Sequence, residues 1–141
     1  MIKFELVTLS GVKFGQEVYE VTLPTLAGQI GVLPGHMPLI SVVTTGVIGV
    51  RHNASDRDSQ VEYYATAGGV VEVKDNTLRV LVDEADASSE ISEAEAQEAI
   101  KKAQDMLKNA KDQVSLDKAK AMMDRSAVRL QVAGLRRKNR R

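Results

Sequence analysis

Gly69-Val70-Val71-Glu72-Val73-Lys74-Asp75-Asn76-Thr77-Leu78-Arg79-Val80-Leu81-Val82 holds two short apolar runs, and the Asp-Asn pair between them is turn chemistry. Short runs rich in Val and Leu and bounded by turn residues read as strands. Toward the N-terminus the same signal repeats. Ile2, Phe4 and Leu6 share one face, residues 18–23 alternate apolar and polar, and residues 29–33, 39–43, 47–51 and 61–66 are further strand candidates punctuated by Gly, Pro, Asn and Asp. Many short, closely spaced strands argue for an antiparallel sandwich or barrel rather than a sheet fed by helical crossovers. Residues 52–60, the longest polar interruption, fit an exposed hairpin loop. Gly68-Gly69 is too short to cradle a phosphate and reads as a tight turn or bulge before a strand.

Beyond Glu90 the period lengthens. Ala96, Ala99, Ala103, Met106 or Leu107, Ala110 and Val114 line one narrow helical face, and Leu116, Ala119, Met123, Ser126 or Ala127, Leu130 and Ala133 line a second. Ser92, with Glu95 three residues on, fits a capping box for the first helix, and Ser115 is the candidate cap of the second. The short break between the stripes implies an antiparallel hairpin. Alanine dominates both faces, so each contact removes little apolar surface from water and the hairpin is weakly held. Opened into one helix, the roughly 48 residues from 92 to 139 would reach about 70 Å, about twice the folded length. The acids Asp83, Glu84 and Asp86, with Glu90, read as a hydrated hinge between the two parts.

The chain's 141 residues suffice for one or two small domains with a modest core. Cysteine is absent, which removes disulfide frameworks and cysteine-ligated metal centres. His36 and His52 fall on different loops without a paired-ligand pattern, and Asp56, Asp58 and Glu62 lack the glycine and closing glutamate of a calcium loop. No metal is expected. No nucleophile elbow, helical zinc motif or phosphate loop surrounds any serine or threonine, so the chain is not expected to be an enzyme. Residues 1–6 alternate in polarity, unlike a signal peptide, and runs such as 42–50 fall short of the roughly 20 residues that span a bilayer. Any membrane association is expected to go through a partner. Asn53-Ala54-Ser55 matches a glycosylation acceptor but reads as a polar loop.

Lysine plus arginine equals aspartate plus glutamate, 19 against 19, yet five of the basic residues (Arg136, Arg137, Lys138, Arg140 and Arg141) lie in the last seven positions. That leaves 14 basic against 19 acidic residues in 1–134, a formal charge of minus five facing a tail of plus five. Such a tail suits an acidic partner.

Gly28-Gln29-Ile30-Gly31-Val32-Leu33-Pro34-Gly35-His36-Met37-Pro38-Leu39-Ile40 resembles the signature loop of the epsilon subunit family of bacterial rotary (F-type) proton-translocating ATP synthases. Ala67-Gly68-Gly69-Val70-Val71-Glu72-Val73, followed by Asn76, Leu78, Val80, Leu81 and Asp83, resembles the strand pair that ends the same family's sandwich. With the alanine-rich hairpin, the resemblance covers nearly the whole chain. It implies an α+β fold, with an antiparallel β-sandwich of about ten short strands over residues 1–87 and a two-helix hairpin with a basic tail over residues 88–141.

The resemblance further implies a non-catalytic rotor subunit of the central stalk, docked on the gamma subunit and on the membrane rotor ring of c subunits. It places the complex peripherally, on the cytoplasmic face of the bacterial cell membrane. Gln29 and His36 match the loops that face the ring. Where many relatives carry glutamate, Gln29 offers an amide, which keeps hydrogen bonding but not a salt bridge. The family's helices can also extend into the catalytic head and suppress ATP hydrolysis. Arg125, Arg129, Arg136 and Arg137 match the basic residues that then meet acidic segments of the alpha and beta subunits, a role suited to arginine's bidentate fork. The alternative reading of these arginines is solvation of an exposed helix end and its dipole.

Some relatives bind ATP through Ile-Asp-x-x-Arg-Ala at the start of the first helix. Here the place reads Ile91-Ser92-Glu93-Ala94-Glu95-Ala96, with an acid in place of the motif's arginine, although Arg125 and Arg129 are kept. No cofactor and weak or absent ATP binding are therefore expected. The competing readings are a nucleic-acid-binding module using the basic tail and a dedicated ATP-sensing regulator. Five aromatic residues in the whole chain and a net acidic sandwich argue against the first, and the altered motif against the second.

Overall fold

The computed structural model describes residues 1–139; Arg140 and Arg141 of the basic tail lie outside the described residues. Ten strands come first: β1 (Ile2–Thr8), β2 (Gly11–Val18), β3 (Glu20–Thr25), β4 (Gly28–Val32), β5 (Leu39–Val43), β6 (Gly46–Arg51), β7 (Glu62–Thr66), β8 (Gly69–Lys74), β9 (Thr77–Val82) and β10 (Ala85–Ala87). Two helices follow, α1 (Glu93–Asn109) and α2 (Gln113–Asn139). The strands run in the order β10-β7-β6-β3-β5-β8-β9-β1-β2, with β4 paired to β3. All pairings are antiparallel except β1 with β9.

The sheet folds over at β3. Its first half pairs with β6 (Glu20 to Arg51, Thr22 to Gly49) and its last residue with β5 (Thr25 to Val43), so one strand belongs to two layers. Pro24 sits at the changeover, where its missing N–H is not needed by a ladder, while its carbonyl accepts from the Thr44 amide at 3.0 Å. Between the layers Phe4, Ile2, Leu6, Leu23, Ile48 and Leu78 are fully buried, since alternate residues of each strand turn inward.

Two turns fix this packing. Asp75 and Asn76, at φ 50° and 56°, form the two-residue connection between Lys74 and Thr77, as a primed hairpin turn requires. Asn76 then ties three segments together: its Oδ1 accepts from the Gly35 amide at 2.9 Å, its Nδ2 donates to the Met1 carbonyl at 2.9 Å, and its carbonyl accepts from the Lys3 amide at 3.2 Å. Gly68 has φ +109°, and a Cβ on Gly69 would fall 1.9 Å from the Leu81 carbonyl oxygen. The glycine pair is a turn and close approach.

The structure corrects the sequence reading in four places. Residues 18–23 are not one strand; the chain bends at Tyr19, whose amide donates to the Arg51 carbonyl at 3.0 Å, and divides them between β2 and β3. Much of β2 escaped notice because Gly15, Gln16 and Glu17 are exposed and alternation is lost at the sheet's edge. Within the acidic hinge, Asp86 belongs to a strand, β10, whose Ala85 and Ala87 are buried against β7. Asp112, not Ser115, caps α2, accepting from the Ser115 amide at 2.7 Å.

Ser92 caps α1, its hydroxyl accepting from the Glu95 amide at 3.3 Å. Ala96, Ala103, Ala119 and Ser126 are buried on the two helices, whereas Val114 is exposed in the first turn of α2. Farther along α2, Val132 and Ala133 pack with Ala65 and Ile91, with Val128, Val47 and Tyr63 at the margin. That contact lays α2 on the outer face of the β6–β7 layer.

Candidate functional site

The opposite layer, β5-β8-β9-β1-β2, turns its outer face to solvent. Register carries one apolar residue per strand straight across it: Val42 faces Val70, Val70 faces Leu81, Leu81 faces Val7 and Val7 faces Val12. Val7 is half-buried; Val42, Val70, Leu81 and Val12 are 48%, 44%, 48% and 72% exposed. Two residues along the strands the row becomes charged, passing from Ile40 through Glu72 and Arg79 to Glu5. Arg79 Nε lies 3.0 Å and Lys3 Nζ 3.3 Å from the Glu5 carboxylate. Hydrogen bonds from Arg79 and then Lys3 hold the Glu5 carboxyl below its ordinary range. A greasy band edged by fixed charges is the anatomy of a docking surface.

This band escaped the sequence reading, but a signal for it exists. A strand wet on one face alternates, whereas Leu6-Val7, Val42-Val43, Val70-Val71 and Leu81-Val82 are apolar doublets that put one residue on each face.

Gln29 and His36 lie at opposite ends of β4. Gln29 is exposed, opposite Pro24 and next to the β3–β4 tip, where Leu26 is 77% exposed. His36 is half-buried in the loop after β4; its amide donates to the Leu33 carbonyl at 3.1 Å and its Nδ1 donates to the Met37 carbonyl at 2.7 Å. Since β4 pairs only with β3, it is an edge strand.

All four arginines of α2 have partners on the segment from Glu84 to Glu93. Arg125 Nη1 lies 3.5 Å from Glu84 Oε2, and Arg129 Nε lies 3.7 Å from Asp86 Oδ2. Arg136 donates to the Ser88 carbonyl at 3.4 Å, and Arg137 lies 3.2 Å from the Glu93 carboxylate. Glu90, counted with the hinge acids from sequence, instead pairs with Lys13 of β2 at 2.6 Å. Among the described residues no group of His, Cys, Asp or Glu could hold a metal ion, and no helix is long and apolar enough to cross a membrane.

Two family models match in succession: ATP synthase, Delta/Epsilon chain, beta-sandwich domain, over residues 1–88, and ATP synthase, Delta/Epsilon chain, long alpha-helix domain, over residues 89–134. An ATP synthase epsilon chain from Herpetosiphon aurantiacus is 34% identical over 136 residues, 96% of each chain. A chloroplastic ATP synthase epsilon chain from Psilotum nudum is 34% identical over 101 residues, 72% of each. Among solved structures, a chain of the Euglena gracilis mitochondrial ATP synthase superposes with a TM-score of 0.79 at 22% identity, covering 94% of this chain and 80% of that one. That last likeness is one of fold.

Proposed function

The chain belongs to the delta/epsilon family of ATP synthase, as a stalk subunit rather than a catalytic one, and on that premise we propose that it couples the catalytic head to the membrane rotor ring. The observation that carries this reading is the bare apolar band on the β5-β8-β9-β1-β2 face. Its Val42, Val70, Leu81 and Val12 are the dock for the gamma subunit, where burial removes their side chains from water. The β4 edge lies along the polar loops of the c ring, with Gln29 and His36, toward its two ends, as the contacts. The protein is thereby held peripherally on the cytoplasmic face of a bacterial cell membrane.

α1 and α2 form the brake. Released from the β6–β7 face, they extend into the head and present Arg125, Arg129, Arg136 and Arg137 to acidic segments of alpha and beta, suppressing hydrolysis. ATP has no strong site on the folded hairpin: Arg125 and Arg129 are already met by carboxylates, and Glu93 and Glu95 add negative charge at the start of α1. The test is ATP hydrolysis by a catalytic head containing gamma, given no addition, the full chain, or a chain ending at Ala87. Both forms should bind and only the full chain should slow hydrolysis. Failure of both to bind gamma would sink the dock, and equal rates with both bound would sink the brake.

A further inference from the structure

Arg125 and Arg129 stand four residues apart on α2, one turn above the other, about 6 Å along the axis. Glu84, just before β10, and Asp86, within it, stand two apart, about 6.7 Å for extended chain, and Ala85 between them is buried while they are not. The two spacings agree within about 1 Å, so both pairs form at once: Glu84 with Arg125 at 3.5 Å and Asp86 with Arg129 at 3.7 Å. We propose that β10, together with Glu84 just before it, is an acidic decoy built into the chain, holding in the folded state the same arginines that an acidic partner surface takes in the extended state. The inference rests on the extending arm of the preceding reading and adds what the arm must leave behind.

β10 is built to stay put when α2 leaves. Its flanking Ala85 and Ala87 are buried in the sandwich core, it pairs with Thr66, Ala65 and Tyr64 of β7, and Glu90 just after it is pinned by Lys13 of β2 at 2.6 Å. Asp86 is the residue of the strand that faces α2. The pairs are also built to let go. Both are longer than a hydrogen bond, both have partly exposed partners, and Arg129 Nε is buried with no hydrogen-bond partner at all. An incoming carboxylate that satisfies that donor bidentately gains what Asp86 does not supply. The decoy therefore sets a threshold: the arm extends when a partner offers the arginines more than β10 does.

The test uses the isolated full chain, which has no cysteine of its own. Ala133→Cys places a thiol under α2, at a position 6% exposed, and its rate of labelling reports how often the arm lifts. Val71→Cys, in a separate chain, places one in the fully buried core, where labelling reports global unfolding. Two partly exposed pairs shift such an equilibrium by about three- to tenfold. The double change Glu84→Gln with Asp86→Asn should raise labelling of the thiol under α2 by that factor and leave labelling of the core thiol unchanged. Raising salt from about 0.05 M to about 0.5 M should accelerate the parent similarly and the neutralised variant hardly at all. Exchanging the charges, Glu84→Arg and Asp86→Arg with Arg125→Glu and Arg129→Glu, should restore the slow rate; if that variant does not fold, the salt series decides. Equal labelling under α2 in parent and neutralised chain, or a parallel rise at the core thiol, overturns the decoy. No partner subunit enters the measurement, so its result stands apart from whether the arm brakes hydrolysis.

Discussion

The two outer faces of the sandwich differ in what they offer a neighbour. The face under α2 centres on Ala65, with Val47 and Tyr63 at its margin, so the contacts at its centre bury little. The opposite face presents Val42, Val70, Leu81, Val7 and Val12 in register. Fully covering a side chain of that size is worth about 1.5–3 kcal/mol, and less for one already half-covered. Small residues with loose ion pairs suit a cover that comes and goes, while branched residues with a charged margin suit a cover that stays. The proposed arm and the proposed gamma dock thus fall on faces of different make-up.

The comparison breaks most sharply if the layers do not share one core. Phe4→Ala empties a fully buried site between them, 5.2 Å from the Phe14 ring, and should cost about 3–5 kcal/mol with a single unfolding transition. Two separate transitions in urea would mean that the layers fold independently. Next, Gly69→Ala drives a methyl into the β9 backbone and should cost about 3 kcal/mol, read as a fall in Tm. A Tm within error of the parent would show that β8 and β9 shift apart freely.

The faces themselves are separated by a matched pair of changes. Val70→Asp with Leu81→Asp should weaken gamma binding by about a hundredfold or more while leaving stability within about 1 kcal/mol. Ala65→Asp should do the reverse, keeping gamma and loosening α2. Equal effects on gamma would remove the distinction between dock and cover. The smallest effect is at the far end of the arm. The Ser115 amide and then its hydroxyl hold the Asp112 carboxyl below its ordinary range. Its capping contribution is therefore present above that range and is lost as pH falls through the lowered value. Protection of the first-turn amides of α2, taken relative to intrinsic exchange at each pH, should fall on acidification, and Asp112→Ala should lower it at neutral pH and abolish the pH response.

Much of this architecture was legible. Residues 39–43 and 77–82 are read as strands to the residue, because both are bounded by turn chemistry. The helical hairpin follows from alanine spacing, and the family from residues 28–40 and 67–83. β10 was not legible, because three carboxylates within four residues look like solvent and a single residue between two small alanines gives too short an alternation to notice. Its acids acquire meaning only once α2 sets Arg125 and Arg129 above them. The separation of Gln29 from His36 was equally hidden, since seven positions along a chain say nothing until four of them prove to be extended.

β1 is held in the middle of its layer, between β2 and β9, with Lys3 beside Thr77 and Val7 beside Leu81. During synthesis the first strand to leave the ribosome therefore waits for nearly the last, with one edge unpaired meanwhile and a long loop still to be closed. Such non-local closure is slow and leaves an edge open to other chains. The helical hairpin has no such wait, since the contacts between its two helices are local and the surface it settles on is finished before it is made. Assembly order thus follows the chain, with the sandwich completed first and the helical pair laid on it afterwards.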